Sequence, residues 1–213
     1  MPQRHLETFG ATVLNYHLVS ELMDSVNQTR VRVGRIQANQ PQIITPEAYS
    51  ETLLEGFGDE ANKYVEWLKE HEKDVRVLQY GYRLKQESFK EHIISETRQT
   101  VLERVEQEVK AREDPFSAVV SGVDEPWDVC LIKLFWEVVQ HSAQANVQEL
   151  SKRNMFEMRA GIPRGVRDEI EKAFLEASRN PSLIAALGDR LQRHGLFDEY
   201  QDRFFALVKA SKS

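Results

Sequence analysis

Val31-Arg32-Val33-Gly34-Arg35-Ile36-Gln37-Ala38, followed by Asn39-Gln40-Pro41 and then Gln42-Ile43-Ile44-Thr45-Pro46-Glu47, is the stretch from which the architecture is read. Two runs rich in β-branched residues flank an Asn and a Pro, which predicts a β-hairpin. The apolar phase slips at Gly34, where a bulge absorbs one residue. Pro41 cannot donate a ladder hydrogen bond and suits the turn or an edge. Thr45-Pro46-Glu47 then reads as a helix start, with a capping hydroxyl, a proline at the first helical position and an acid near the positive end of the dipole.

Upstream, Thr12 to Met23 partly fits both helical and strand periods, and is read as a strand or short helix leading into a turn at Asp24–Thr29. Downstream, Ala61, Tyr64, Val65 and Leu68 have helical spacing after Gly58-Asp59, while Asp74 to Leu84 alternates and predicts a strand. From Glu87 to Arg112 the stripe Ile94, Val101, Val105 and Val109, with charged residues elsewhere, predicts one long amphipathic helix. Ala118-Val119-Val120 is a short strand or a loop. Residues 126–143 are apolar nearly all round, interrupted by Lys133, Glu137 and Gln140, and so predict a buried central helix.

The last third predicts three short helices. Val166, Ile170, Phe174 and Ala177 form one face, Leu183, Ile184, Leu187 and Leu191 a second, and Phe197, Tyr200, Phe204 and Leu207 a third. The expected fold is therefore α+β and predominantly helical. It has a small antiparallel β element in the N-terminal third and a C-terminal helical bundle around the buried helix. Residues 1–213 are read as a single compact domain. The alternative division places a hairpin with helices in 1–115 and a helical bundle in 116–213.

Composition narrows function mainly by exclusion. The 213 residues are 41% hydrophobic and 29% charged, with one cysteine, which excludes an internal disulfide framework and a multi-cysteine zinc site. No apolar run reaches the length of a membrane span, and the first thirty residues lack the pattern of a secretory signal, so a soluble cytoplasmic protein is expected. The net charge of −6 disfavours general nucleic-acid binding. It also weakens a base-stacking reading of Tyr80, Tyr82 and Arg83, for which aromatic packing is the simpler account.

The chain lacks a phosphate-binding glycine loop, a dinucleotide fingerprint, a nucleophile elbow and kinase signatures. The six histidines are dispersed, and Val75 stands where a zinc helix begun at His71-Glu72 would need its second histidine. Cys130 and His141 share a helical face but lie about 16 Å apart along the axis, too far for a dyad. Asp124, Glu125 and Asp128 are read as helix-start acids. No catalytic residue, metal ligand or cofactor is therefore assigned.

Ser151–Arg167 stands out. Lys152, Arg153, Arg159, Arg164 and Arg167 face a single acid, Glu157, and Arg164 and Arg167 fall where the helix dipole disfavours cations. An anion there would meet free N–H groups and guanidinium groups together. Arg159, Arg164 and Arg167 are thus the candidate residues for an anion or an acidic partner. The competing reading pairs them with Asp168, Glu169 and Glu171. The expected function is a non-catalytic protein-interaction or regulatory module, acting on a protein partner or by self-association. The alternative is a protein that binds an anionic small molecule, or an enzyme without recognisable motifs.

Overall fold

Asn15 and His17 blur the pattern of Thr12–Met23 because they sit on one face of a strand whose other face is mostly apolar. In the computed structural model, which describes residues 1–45, 48, 63, 66, 67, 70 and 77–211, strand β1 runs from Thr12 to Glu21. Leu14, Tyr16, Leu18 and Ser20 point to one side of the sheet, and Asn15, His17 and Val19 to the other, as the two-residue period requires. Strand β2 (Thr29–Ala38) returns antiparallel, in unbroken register from Glu21↔Thr29 to Thr12↔Ala38.

The hairpin is therefore β1–β2, and this corrects the expected pairing across Asn39–Pro41. Strand β3 (Gln42–Ile43) pairs instead with β4 (Leu78–Gln79). A β-branched run fits any well-packed neighbour, so its composition did not reveal which partner it takes. The second neighbour of β2 is β5 (Tyr82–Ile94), also antiparallel. Here the register shifts between Val33 and Arg35, at the same glycine where the apolar phase slips.

Gly34 also faces its β1 partner Tyr16, and a Cβ at Gly34 would lie 2.7 Å from the Tyr16 Cζ. Gly34→Ala must displace a ring from a packed sheet face. A loss of about 1–3 kcal/mol is expected in urea unfolding; an unchanged midpoint would contradict this account of the glycine.

Strand β5 corrects the long helix expected from Glu87 to Arg112. The chain stays extended to Ile94, and α1 covers only Arg98–Ala111, with Thr97 Oγ1 accepting from the Thr100 N–H at 3.4 Å. Strand β6 (Ser117–Gly122) then lies parallel to β1, from Asn15↔Ser117 to Ser20↔Gly122. The sheet order is β5-β2-β1-β6. The β element is thus a four-stranded mixed sheet, not a small antiparallel one, and the chain has mixed α/β content.

Helix α1 covers one sheet face, burying Val101 and Val105 with Val19 and Val31. Helix α2 (Asp128–Lys152) covers the other, where Leu131, Leu134, Phe135 and Val138 meet Leu14, Tyr16, Leu18, Ile36, Ala38 and Ala118. The N-terminal segment is fixed to α2 by polar contacts. Leu6 N–H donates to Ser142 Oγ at 2.9 Å, and Asn146 Nδ2 donates to Leu6 O at 2.8 Å and Thr8 Oγ1 at 2.9 Å. Tyr80 donates its hydroxyl to Asn146 Oδ1 at 2.9 Å, and burial pushes that phenol up to about 12.

The chain divides into two compact units, neither of them continuous. Unit 1 holds residues 1–41 and 80–149, and unit 2 holds 42–79 and 150–213. In unit 2, β7 (Met158–Arg159) pairs with β8 (Ile162–Pro163), ahead of α3 (Arg164–Arg179), α4 (Ile184–Arg193) and α5 (Phe197–Ala210). Val166, Ile170, Phe174 and Ala177 form the buried face of α3, packed with Ile43, Leu150, Leu187, Leu191 and Leu196. Thr45 Oγ1 accepts from the Ala48 N–H at 3.3 Å, a helix-start contact. The remainder of the helix expected from Pro46, and that expected from Gly58, lies outside the described residues. Among the described residues, no helix is long and apolar enough to cross a membrane.

Candidate functional site

The start of α3 does bring Arg159, Arg164 and Arg167 together, each beside a carboxylate. Arg164 Nε lies 3.5 Å from Asp168 Oδ2, one helical turn on, and Arg159 Nη2 lies 3.9 Å from Glu157 Oε2. Arg167 is held most tightly. Its Nη1 and Nη2 donate to the two oxygens of Glu199 at 2.6 and 3.1 Å, and its Nε donates to Arg159 O at 3.0 Å. The hydrogen bond from Arg167 holds the Glu199 carboxyl below the usual carboxylate range.

Two backbone donors at this helix start are also engaged. Arg164 N–H donates to Glu157 O and Gly165 N–H to Met155 O, both at 2.8 Å. An anion arriving here would compete with an existing bidentate pair and would find fewer free N–H groups than a bare helix end offers. Glu199, on α5, was not visible to a reading confined to residues near Arg167. Glu171 pairs elsewhere, with Arg203 at 2.7 and 2.8 Å.

The acids before α2 have a different place from the one expected. Asp124 does not cap the helix. Its Oδ1 accepts from Arg32 Nη1 at 2.8 Å and from Ser20 Oγ at 3.1 Å, and its Oδ2 lies 3.1 Å from Arg30 Nη1. Arg32 is 2% exposed in its side chain and Asp124 9%. Glu91 completes the Arg32 contacts at 2.8 Å and Glu125 at 3.3 Å, while the guanidinium carbon sits 5.3 Å from the centre of the Trp127 ring. Two arginines are thus answered by three carboxylates and a serine, while Arg30 Nε, 3.5 Å from Glu91 Oε1, makes no hydrogen bond.

His141 does not approach Cys130 as a base. Its ring lies tilted against His5, with centroids 4.5 Å apart. Among the described residues, no group of three His, Cys, Asp or Glu side chains is placed to hold a metal ion.

The feature that sequence reading missed lies on α2. The expectation of a helix buried all round is corrected here, because one sheet face covers only one side of it. Val129, Ile132 and Trp136 point away from the sheet and are 53, 52 and 60% exposed. Their spacing of 3 and 4 makes a continuous helical stripe. Lys133 and Glu137 flank it, with Nζ 3.9 Å from Oε1. The polar positions Lys133, Glu137 and Gln140 were the available signal, because they mark the side of α2 that faces water.

The stripe continues towards the sheet edge. Phe135, buried below it, meets the Tyr82 ring at 4.6 Å, and Trp127 stacks on Phe89 at 5.5 Å. Tyr82, Leu84 and Phe89 are exposed apolar residues of β5, an edge strand of the sheet. Three large exposed side chains on one helix, beside three more on an edge strand, form an apolar surface of the kind that marks protein association. Comparison of the chain with protein-family models, with curated proteins and with solved structures finds no match.

Proposed function

We propose that the chain is a non-catalytic interaction module that associates with a second copy of itself through α2. The exposed stripe Val129–Ile132–Trp136 carries this reading. Helix faces with this spacing pack well against one another, and a solvent-facing Trp is the residue type most enriched at energetic centres of interfaces. The flanking charges favour a like partner. In an antiparallel pairing about a two-fold axis near this stripe, Lys133 of one copy comes opposite Glu137 of the other. The reading includes a cytoplasmic setting, in keeping with the single cysteine.

Sedimentation velocity of the purified chain over a range of concentrations tests it. A concentration-dependent dimer is expected. Trp136→Glu should weaken it about a hundredfold or more, since each interface would lose two central rings, one from each copy. The far-UV circular dichroism should not change, because the ring is exposed in the free chain. Lys133→Glu should also weaken the dimer, and adding Glu137→Lys should restore it. A chain that stays monomeric throughout, or a Trp136→Glu variant that dimerises normally, overturns the proposal.

A further inference from the structure

Helix α1 covers only part of its sheet face. Val101 and Val105 pack over Val19 and Val31, with Val33 and Val109 beside them, and the helix ends at Ala111. A cavity of about 350 Å³ opens there. The register explains its lining. Asn15 pairs with Arg35 and His17 with Val33 across β1 and β2, and Lys90 of β5 pairs with Val33. Arg112 reaches the cavity from the C-terminal cap of α1, and Asp114 from the segment that follows.

The charges around this cavity do not balance. Asp114 is its one lining carboxylate among the described residues, and it is already engaged: Oδ2 accepts from Asn15 Nδ2 at 2.6 Å and Ser117 Oγ at 2.7 Å, and Oδ1 accepts from the Phe116 N–H at 3.0 Å. Among the described residues, the Arg112 guanidinium meets a carboxylate only at Glu108, in a long, exposed contact of 3.8 Å. Arg35 donates through Nε to Asn15 Oδ1 at 3.2 Å, and neither it nor Lys90 meets a carboxylate among the described residues. His17 lies among them, 8% exposed, with its Nδ1 buried and without a hydrogen-bond partner. Three permanent cations and an imidazole with an unpartnered Nδ1 thus converge in a chain of net charge −6.

We propose that this cavity binds a small phosphate-bearing ligand, with Arg35, Lys90 and Arg112 supplying the counter-charge beside His17. Its volume lies at the lower end of the range for small-molecule sites. Three cations suit a multiply charged oxyanion better than a single carboxylate.

His17 is a built-in reporter. Burial is the main cause that lowers its pKa, and Arg112 adds to it. A backbone hydrogen bond to Ala118 and the carboxylates of Glu108 and Asp114 act in the opposite direction. Arg35 on β2 and Lys90 on β5 are the other charges lining the cavity. A bound anion adds negative charge nearby and favours the imidazolium, so binding should raise the His17 pKa. By linkage, affinity should then rise as pH falls through the titration range of His17.

The test is a titration of the full chain with pyrophosphate at low ionic strength, read from the ring resonances of ¹³C-labelled histidine and assigned with His17→Gln. A saturable shift of the His17 resonance is expected, with its pKa moving upward and the His5 and His141 signals unmoved. Lys90→Gln combined with Arg112→Gln should weaken binding about tenfold or more, as loss of two charge contacts implies. Both side chains are on the surface, and unchanged circular dichroism would verify that the fold is intact. A His17 signal unmoved by millimolar pyrophosphate overturns the proposal. So does an equal shift in the double variant, which would mark a general salt effect.

Discussion

Asp124→Ala is expected to lower the unfolding free energy by about 3–5 kcal/mol, the range for removing one partner of a buried ion pair. The reason is what it leaves behind. Arg32 is almost fully enclosed, and Asp124 is its one buried counter-charge; Glu91 and Glu125 are partly exposed and screened. Ser20, wholly buried, would lose the carboxylate that accepts its hydroxyl proton. The measurement is urea unfolding of the variant beside the parent. Replacing Arg32 by Met in the same chain should recover part of the loss, because an apolar side chain of similar length removes the stranded charge. If Asp124→Ala shifts the midpoint only slightly, the guanidinium is finding water or another anion and does not depend on Asp124.

Phe174→Ala is expected to be about as damaging, at about 3–5 kcal/mol, by a different mechanism. The ring is 3% exposed at the centre of the unit 2 core. Tyr200 stacks on it at 5.6 Å, and the Arg203 guanidinium lies 4.2 Å from the ring centre. Truncation opens a cavity among Ile170, Leu187 and Leu191 and removes the surface on which both α5 side chains rest. Phe174→Leu keeps most of the volume and should lose less than half as much. Thermal and urea unfolding of the two variants separates them. Equal losses would show that the ring's contacts with Tyr200 and Arg203, more than cavity volume, set the effect.

The two cores differ in how far the sequence announced them. Val166, Ile170, Phe174 and Ala177 fall on the buried face of α3 as their spacing required, because a helix is built from neighbours three and four residues away. Gly195, at φ +62°, closes α4 in the left-handed conformation that suits a glycine. The sheet was much less legible. Phe89, Glu91 and Ile93 alternate with Lys90, His92 and Ile94, yet they run directly into the stripe of α1, so strand and helix merged into one apparent amphipathic pattern. Pairing with β2, more than fifty residues earlier, resolves them.

The same distance problem hid parts of the candidate sites. Arg167 was legible as an anomaly, but its bidentate partner is 32 residues away on another helix. The exposed face of α2 was hidden for the opposite reason. Val129, Ile132 and Trp136 are so apolar that burial was the natural inference, and only the single-sided cover of the sheet leaves them in water. The cavity beside His17 draws on four strands and a helix end, and no local motif encodes that convergence.

The order of the two units along the chain has a consequence for synthesis. Unit 1 opens with a hairpin that can form as soon as Ala38 has been made, but its sheet stays incomplete until Ser117–Gly122 emerges to lie beside β1. Between those events the ribosome produces the first segment of unit 2, whose remaining residues come only after position 149. Until residue 122 has been made, β1 presents an unpaired edge, and until residue 149 neither unit has its full complement of residues. Ends that must wait about a hundred residues to meet impose a loop-closure penalty and slow folding. A fragment cut at any of the three boundaries between the units would carry part of one core without its counterpart.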